Sequence, residues 1–503
     1  VANDCVPRSF GTNNIVCVCN STYCDSTPEP KPSSPEKGTF HWYVSSRDGL
    51  RLSLSKGQMG RCQNDGSLTL NIDTSKRYQT ILGFGGAFTD SAGMNIKNLS
   101  EATQDQLIRA YFDPKDGSRY TLGRIPIGGT DFSTRAYTLD DYDDDATLQH
   151  FALAPEDVEY KIPYARKAVE LNPDLRFFSA AWSAPTWMKT NHKINGFGKL
   201  RKNTGFLKTE YYQTFANYIL KFIEEYKKNG VDIWGVSTGN EPFDAYIPFE
   251  RLNSMGWTPE LVGDWIANNL GPTLANSEYN ATHIFVLDDQ RLGLPWFVNE
   301  IFKNEIARNY VYGIAVHWYA DILIPPVVLD QTHNNFPDKN LLMTEACEGR
   351  SFPLEKKVVL GSWERGKRYI LSITQYMNHW GVGWVDWNIA LNKDGGPTYI
   401  NNNVDSPIIV NPENDEFYKQ PMYYALKHYS RFVDRGSVRI FITDTIEIKA
   451  AAFITPSNEI VVVAYNDLEL PPHSMNTKNT MKPTHGYPKH KTEKLLVTLF
   501  FFN

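Results

Sequence analysis

Two hydrophobic patterns alternate through the middle of the chain. Short apolar runs, typical of buried strands, are separated by stretches in which apolar residues recur every three or four positions, as on one face of a helix. The apolar runs lie at 81–84, 121–127, 176–181, 233–237, 283–287, 311–316, 341–343 and 382–385. The helical stretches lie at 103–112, 162–171, 210–228, 258–269, 296–306 and 365–379. Strands alternating with helices in this number predict an α/β fold, a (β/α)8 TIM barrel.

A doubly wound open sheet is the alternative to this barrel. Such a sheet normally carries a glycine-rich phosphate-binding turn after its first strand. Gly83, Gly85 and Gly86 supply glycines at that place, but the G-x-x-G continuation is missing from the sequence. The motif therefore does not support a nucleotide site, and we expect the barrel.

Alternating apolar and polar residues at both ends of the chain predict antiparallel strands with one buried face. These segments lie at 51–54, 67–72, 438–443, 446–454, 460–465 and 495–502. The N-terminal segments are too few to fold alone, so we expect an immunoglobulin-like β-sandwich built from residues 31–79 and 437–503. The barrel is then predicted to span 80–388 plus 421–436. Residues 28–38, rich in proline and serine, are predicted to form a stiff linker.

The composition limits the classes of function. The 503 residues carry a formal net charge of −6, so the chain lacks the basic character of a nucleic-acid-binding protein. The aromatic content of 13% is high and suits a protein that stacks flat faces on sugar rings or apolar ligands. No apolar run reaches the roughly 18 residues that a membrane-spanning helix needs. These properties favour a globular protein that binds a sugar or an apolar ligand.

Four cysteines lie close together near the start of the chain, at Cys5, Cys17, Cys19 and Cys24. Their spacing lacks the paired C-x-x-C motifs of a zinc site, so two disulfides are predicted, and these imply an oxidising secretory route. Cys17 and Cys19 are too close to pair easily with each other. The residues alone leave open Cys5–Cys17 with Cys19–Cys24, or the crossed alternative. Candidate N-glycosylation sequons, which fit secretion, occur at Asn20, Asn98 and Asn280.

Polar, charged or aromatic residues follow the predicted barrel strands, where the active sites of such barrels lie. They are Asp90, Asp131, Trp182, Asn240, Glu241, Asp288, Asp289, His317, Trp318, Tyr319, Glu345, Asp386, Trp387 and Asn388. Glu241 closes the fourth run and Glu345 the seventh, so we expect their side chains to converge across the barrel mouth. Glycoside hydrolysis requires such a pair, because one carboxyl protonates the leaving oxygen while the other attacks the anomeric carbon or activates water. The structural alternative for Glu345 is an ion pair with a barrel arginine such as Arg124.

The strand ends do not favour a metal site. A metal-dependent barrel hydrolase groups imidazole and carboxylate ligands there, but the first run ends without an H-x-H motif, and His317 is the only histidine at a strand end. The acidic stretch 140–145 has Ala146 and Ala152 where a calcium loop carries glycine and glutamate. We expect no metal and no cofactor. An inactive sugar- or lipid-binding barrel, the non-enzymatic alternative, would need the aromatic residues but not both glutamates.

A set of motifs spread from the cysteine cluster to about Asp467 carries a family resemblance. The motifs are C-V-P-R-S-F-G, V-C-V-C-N-S-T-Y-C-D-S, L-G-F-G-G-A-F-T-D, S-A-P-T-W-M-K-T-N, L-D-D-Q-R, G-I-A-V-H-W-Y, T-E-A-C, V-D-W-N-I-A-L-N, V-D-S-P-I-I-V and F-Y-K-Q-P-M. On these motifs, which are highly specific in combination, the chain resembles the acid β-glucosidases (glucosylceramidases) of glycoside hydrolase family 30.

The resemblance implies a retaining β-glucosidase that hydrolyses glucosylceramide to glucose and ceramide through a covalent glucosyl-enzyme intermediate. It implies that Glu345 is the nucleophile and Glu241 the acid/base. The residues expected to bind the substrate are Asp131, Trp182, Asn240, Trp318, Tyr319, Trp387 and Asn402. It also implies the disulfides Cys5–Cys17 and Cys19–Cys24, and a small antiparallel β-sheet domain built from residues 1–28 plus 389–420.

The resemblance further implies a lysosomal or secreted protein that associates peripherally with membranes. Expected partners are glucosylceramide at a membrane surface, anionic lipid, a saposin-type activator and a membrane transport receptor. A β-glycosidase of the same family acting on another sugar or a non-lipid aglycone is the alternative. The sequence departs from the lysosomal members at two positions, since Gly239 replaces an acidic residue two before the acid/base and Thr130 replaces a cysteine.

Overall fold

The structure is a computed structural model, and it describes most of the chain. The described residues are 3–27, 38–60, 69–196, 204–247, 251–349, 356–443, 445–466, 476–477, 481–482 and 495–502. Residues 28–37 of the predicted linker and most of the tail after Asp467 lie outside the described residues. Strands and helices are numbered along the chain.

Parallel strands close into a barrel, as the alternating pattern predicted. They are β7 (Gly83–Ala87), β8 (Leu122–Ile127), β9 (Arg176–Ala181), β10 (Ile233–Ser237), β11 (His283–Gln290), β12 (Val311–His317), β13 (Asn340–Glu345) and β14 (Gly381–Asn388). Each strand pairs with the next along the chain, and β14 closes on β7. Leu122, Phe178, Phe285 and Leu342, from four different strands, pack in one buried cluster. Because apolar side chains occupy this part of the barrel, polar chemistry is left to the strand ends.

The helices follow the strands and cover the barrel. The α-helices of the described residues are α1 (Asp90–Lys97), α2 (Glu101–Phe112), α3 (Ile162–Leu171), α4 (Tyr212–Lys228), α5 (Pro259–Trp265), α6 (Gly271–Ala275), α7 (Trp296–Ile301), α8 (Glu305–Tyr310), α9 (Val327–Asn335), α10 (Trp363–Asn378) and α11 (Pro421–Ser430). The longest, α4, buries Phe215, Ile219, Phe222 and Tyr226. These residues recur every three or four positions, which is the spacing that predicted the helix.

The prediction of a single helix over 296–306 is wrong. The chain forms α7 and α8 instead, and the Asn304 side chain caps α8 by accepting a hydrogen bond from the backbone N–H of Ala307. The apolar pattern continues across this turn, so it did not reveal the break. Helix α9 was not predicted because it buries only Leu329 and Thr332, too few residues to make a helical pattern.

Strands from both ends of the chain form one hydrogen-bonded sheet. Its members are β3 (Thr39–Ser46), β4 (Ser53–Met59), β6 (Ile72–Thr80), β17 (Val438–Ile442), β18 (Ile448–Ile454), β19 (Glu459–Asn466), β21 (Met481–Lys482) and β22 (Leu495–Phe502). Strand β22 lies between β3 and β19, and β17 pairs with β6. The expected contribution of both chain ends to this sheet is therefore confirmed. A short parallel pair joins β5 (Thr69–Leu70) to β20 (Asn476–Thr477).

A third, four-stranded sheet contains the cysteine-rich N-terminus. Its strands are β1 (Pro7–Ser9), β2 (Ile15–Asn20), β15 (Ile408–Asn411) and β16 (Glu416–Lys419), in the order β1-β2-β16-β15. The disulfides join Cys5 to Cys17 and Cys19 to Cys24, which is the pairing that the resemblance implied. The segment that carries Asn402 connects β14 to β15, so this sheet holds one wall of the pocket described next.

Candidate active site

A pocket opens at the carboxyl ends of the barrel strands. It is lined by Asp131, Phe132, Trp182, Glu241, Leu252, Tyr319, Glu345, Cys347, Trp387 and Asn402. Phe132, Leu252 and Cys347 were not expected there from the sequence, because a single apolar or thiol side chain in a loop looks like any core residue. The other lining residues are all among those expected to act on the substrate.

Glu241 and Glu345 face each other in this pocket. Glu345 is the last residue of β13, and Glu241 follows β10 with a left-handed backbone conformation at φ 41° and ψ 62°. An oxygen of one carboxylate lies within 4.8 Å of an oxygen of the other, and both side chains are largely buried. Left-handed backbone at a residue other than glycine is uncommon and clusters at functional sites. The two carboxylates therefore converge as strand order predicted.

The guanidinium of Arg124, a fully buried residue of β8, binds the surrounding acidic and amide groups. It forms an ion pair with Glu345 and donates to Asp288 Oδ2 at 2.9 Å and to Asn240 Oδ1 at 2.8 Å. The ion pair with Arg124, which was the structural alternative for Glu345, is thus present. Glu345 also lines the pocket, so the ion pair does not exclude a role there. In the sequence, these contacts are indicated by a charged residue inside an apolar run, because an arginine buried in a strand needs acidic partners.

The imidazole of His317, at the end of β12, bridges two carboxylates. Its Nδ1 lies 2.7 Å from Glu241 Oε1, and its Nε2 lies 3.0 Å from Asp288 Oδ1. Burial alone would lower the pKa of His317, but the charge of Glu345 and the hydrogen bonds to Asp288 and Glu241 raise it to about 10. His317 is therefore an imidazolium that donates from both nitrogens.

This protonation state bears on metal binding. Ligand atoms of Glu241, His317 and Glu345 are close enough together to surround a cation. Both nitrogens of His317 are occupied by hydrogen bonds to carboxylates, and an imidazolium has no lone pair to offer a metal ion. The donor set therefore does not fit a metal centre.

Each pocket glutamate has further hydrogen bonds that set its orientation. The Tyr319 hydroxyl donates to Glu345 Oε1 at 2.8 Å and lies 3.3 Å from the Cys347 sulfur. The Gln290 amide donates to Glu241 Oε1 at 2.7 Å. Arg124 and Tyr319 thus hold the two oxygens of Glu345, and His317 and Gln290 hold one oxygen of Glu241.

Two buried aspartates near the end of β11 carry opposite pKa shifts. Burial raises the pKa of Asp288, but the positive charge of Arg124, the hydrogen bond and charge of His317 and the hydrogen bond of Thr344 together outweigh burial and lower it. Burial and the nearby charge of Glu241 raise the pKa of Asp289 to about 8. Asp288 is therefore the ionised partner of the two cations, whereas burial and the charge of Glu241 favour the neutral form of Asp289.

Aromatic rings form one wall of the pocket. Trp182 and Trp387 stack with centroids 5.2 Å apart, and the Arg124 guanidinium lies 4.9 Å from the Trp182 ring. Beside them, the Asn402 amide donates to Asp131 Oδ2 at 2.9 Å. Flat aromatic faces next to a carboxylate and an amide suit a sugar ring, whose faces are apolar and whose edges carry hydroxyls.

Two residues of the expected substrate site are not among those that line the pocket. Trp318 packs edge-on against Tyr369 and Trp384 and is not among the pocket-lining residues. The side chain of Asn240 accepts from Arg124 and does not line the pocket either. Adjacent positions at a strand end point in different directions, and sequence similarity could not distinguish lining residues from supporting ones.

The two positions that depart from the lysosomal pattern lie next to this site. Gly239 has φ +146°, a conformation that favours glycine, with Trp257 Nε1 3.6 Å from where a Cβ would stand. Thr130 accepts a hydrogen bond from the backbone N–H of Phe132, a pocket residue. The Gly239 backbone explains why an acidic residue there would strain this loop.

Opposed carboxylates at the carboxyl ends of a (β/α)8 barrel, beside stacked tryptophans, define a glycoside hydrolase. Family models agree, since the glycosyl hydrolase family 30 TIM-barrel domain matches residues 81–433 and its β-sandwich domain matches residues 436–471. The chain belongs to glycosyl hydrolase family 30.

Individual relatives share most of their length with the chain. It is 41% identical to the lysosomal acid glucosylceramidase of Mus musculus, over 92% of this chain and 90% of that protein. It is 40% identical to putative glucosylceramidase 2 of Caenorhabditis elegans, over 100% and 96%. Among solved structures, SrfJ from Salmonella typhimurium superposes with a TM-score of 0.81 at 25% identity, covering 92% of this chain and all of that one. The resemblance noted from the motifs is confirmed.

The charge of His317 gives a direct spectroscopic prediction. In protein labelled with ¹⁵N-histidine, one ring should remain doubly protonated at pH 8, because its pKa is about 10, whereas an ordinary histidine titrates near ~6.5. The signal should vanish in His317→Asn, and Asp288→Asn should lower its pKa, since one stabilising carboxylate is removed. Asp338→Asn, at an exposed ion pair, is the matched control. Neutral rings for all histidines at pH 8 would refute the imidazolium.

Proposed function

We propose that this glycoside hydrolase is a retaining glucosylceramidase, with Glu345 as nucleophile and Glu241 as acid/base. The observation that carries the proposal is the short approach of the two glutamates, within 4.8 Å between oxygens. Retaining enzymes place their carboxyl groups about 5–5.5 Å apart, and inverting enzymes about 6.5–9.5 Å, because a water must fit between. The close spacing supports the retaining reaction.

The contacts suit a double displacement. Glu345 attacks the anomeric carbon while Glu241 protonates the departing oxygen, which leaves glucose bound covalently to Glu345. Glu241 then takes a proton from water, and this water releases β-glucose. Arg124 and Tyr319 each hold one oxygen of Glu345, so the nucleophile is oriented before the substrate arrives.

Glucose as the sugar is supported by the pocket and by its relatives. Trp182, Trp387 and Phe132 supply apolar faces, and Asp131 and Asn402 supply groups that bind hydroxyls. The Mus musculus relative is named a glucosylceramidase. A small pocket lined in this way fits one terminal sugar and leaves the aglycone outside.

Exposed apolar side chains on the barrel loops support a lipid aglycone. Ile322 and Leu323, in the loop after β12, are 93% and 79% exposed, and Leu292 and Trp296, after β11, are 55% and 49% exposed. Trp296 stacks on Phe243, two residues beyond Glu241. These residues follow the carboxyl ends of β11 and β12, the end of the barrel that holds the pocket, and exposed apolar side chains of this kind are typical of surfaces that meet lipid or another protein. We propose that this apolar rim (Leu292, Trp296, Ile322 and Leu323) rests on the membrane that presents glucosylceramide.

The lysosome, reached through the secretory pathway, is the proposed compartment. The lysosomal relative and the two disulfides support it. Within the described part of the chain, no helix combines the length and apolarity required to cross a bilayer. Anionic lipid, a saposin-type activator and a membrane transport receptor remain predictions from the family resemblance.

Rescue by azide should distinguish the nucleophile from the acid/base. Glu345→Gly should lose at least about 10³-fold in kcat, because removal of a nucleophile eliminates the covalent step. Azide should restore turnover by attacking from the vacated side, giving α-glucosyl azide. In Glu241→Gly the intermediate still forms, so azide should enter from the opposite side and give β-glucosyl azide. Exchanged anomers, or full activity of Glu345→Gly without azide, would refute the assignment.

The apolar rim can be tested separately from the chemistry. The double substitution Ile322→Ser with Leu323→Ser should lower activity on glucosylceramide in anionic vesicles at least about fivefold, because each large apolar side chain contributes up to ~1.5–3 kcal/mol when buried. Activity on a soluble aryl β-glucoside should stay within about twofold. Ile446→Ser, at a residue 91% exposed between β17 and β18, is the control. Equal loss on both substrates would contradict membrane docking.

A further inference from the structure

Gln290, the last residue of β11, connects the two halves of the candidate active site. Its Nε2 donates to Glu241 Oε1 at 2.7 Å, and its Oε1 accepts from the backbone N–H of Ala320 at 3.1 Å. Ala320 follows Tyr319, whose hydroxyl donates to Glu345. One amide side chain thus joins the Glu241 carboxyl to the loop that orients the Glu345 carboxylate.

The orientation of this amide is fixed by its partners. The Ala320 N–H is a donor only, so it requires the oxygen of the Gln290 amide, and the nitrogen must then face Glu241. The backbone N–H of Gln290 donates to Asp289 Oδ1 at 2.7 Å, which holds the residue at the strand end. A flipped amide would set its oxygen against the Glu241 carboxylate and lose both bonds.

Gln290 and His317 together occupy one oxygen of Glu241. Both donate to Oε1, each at 2.7 Å. A carboxyl oxygen has two lone pairs in its plane, and two N–H donors use both of them. A proton carried by Glu241 therefore resides on Oε2.

We infer that Gln290 is a positioning residue that assigns the transferable proton of the acid/base to Glu241 Oε2 and keeps that oxygen directed at the leaving group. The inference rests on the proposed role of Glu241. Without Gln290, the proton can reside on Oε1, which His317 holds away from the glycosidic oxygen. The first step then loses acid catalysis, while nucleophilic attack by Glu345 is retained.

The leaving group separates this role from a merely structural one. An alkyl aglycone departs only if it is protonated, whereas a 2,4-dinitrophenolate departs without help, so loss of acid catalysis slows only the former. The test compares the kcat/KM values of an alkyl and a 2,4-dinitrophenyl β-glucoside, because kcat/KM reports the first step. Gln290→Met should lose about tenfold or more on the alkyl glucoside, the expected size for a hydrogen bond to a charged group, and under about threefold on the activated one.

A second variant keeps the inference testable if Gln290→Met folds poorly. In Gln290→Glu the introduced carboxyl can donate to Glu241 only when it is protonated. Its kcat/KM on the alkyl glucoside should therefore fall more steeply from pH 4 to pH 7 than that of the parent enzyme. Gln331→Met, at an exposed glutamine of α9, controls for the exchange itself.

The outcomes distinguish this inference from the proposal beneath it. Glu241→Gln should show the same leaving-group dependence in a stronger form. If it does not, the assignment of the acid/base fails. If Glu241→Gln shows the dependence but both Gln290 variants lose activity equally on the two substrates, or lose none, only the role of Gln290 is overturned.

Discussion

The buried guanidinium of Arg124 is the interaction on which the rest of the site depends. It lies among Glu345, Asp288 and Asn240, with no exposure of its own side chain. A buried charge costs several kcal/mol unless it is paired and hydrogen-bonded, and removal of one partner leaves the other uncompensated. The pocket can therefore hold two glutamates close together because Arg124 and the His317 imidazolium offset their charge.

Closure of the barrel is what brings these charges together. Arg124 belongs to β8, Asp288 to β11, His317 to β12 and Glu345 to β13, so the residues are distant in sequence and meet only where parallel strands end at one rim. Strands on a closed barrel have no free edge along which to slide, which fixes the relative heights of the side chains. The scaffold thus supplies the orientation on which the proposed chemistry relies.

The barrel and the pair of glutamates could be predicted from the sequence. Strands of a parallel barrel are buried on both faces and appear as apolar runs, so the run that ends at Glu241 and the run that ends at Glu345 revealed both the fold and the pair of carboxylates. Lone side chains carried less information. Trp318 and Tyr319 are neighbours, yet only Tyr319 lines the pocket, and strand position alone did not separate them.

Supporting residues were harder still to find. Arg124 was visible as a charge inside an apolar strand, but its partners were not, because an ion pair is a property of the folded chain. Gln290 stands in the L-D-D-Q-R motif, but nothing in the sequence marked it as a partner of Glu241, since a polar residue at a strand end usually caps the strand or faces solvent. The break between α7 and α8 was missed because a side-chain cap at Asn304 outweighed a continuous apolar pattern.

The proposed mechanism depends on a covalent intermediate at Glu345. A β-glucosyl fluoride with a further fluorine in place of the 2-hydroxyl should trap it. The fluorine at C2 slows formation and breakdown of the intermediate, whereas the fluoride at C1 is a good leaving group and speeds formation. Peptide mapping by mass spectrometry should then find the 2-deoxy-2-fluoroglucosyl group on Glu345. Label on Glu241, or no label on an enzyme that turns over ordinary β-glucosides, would contradict the account.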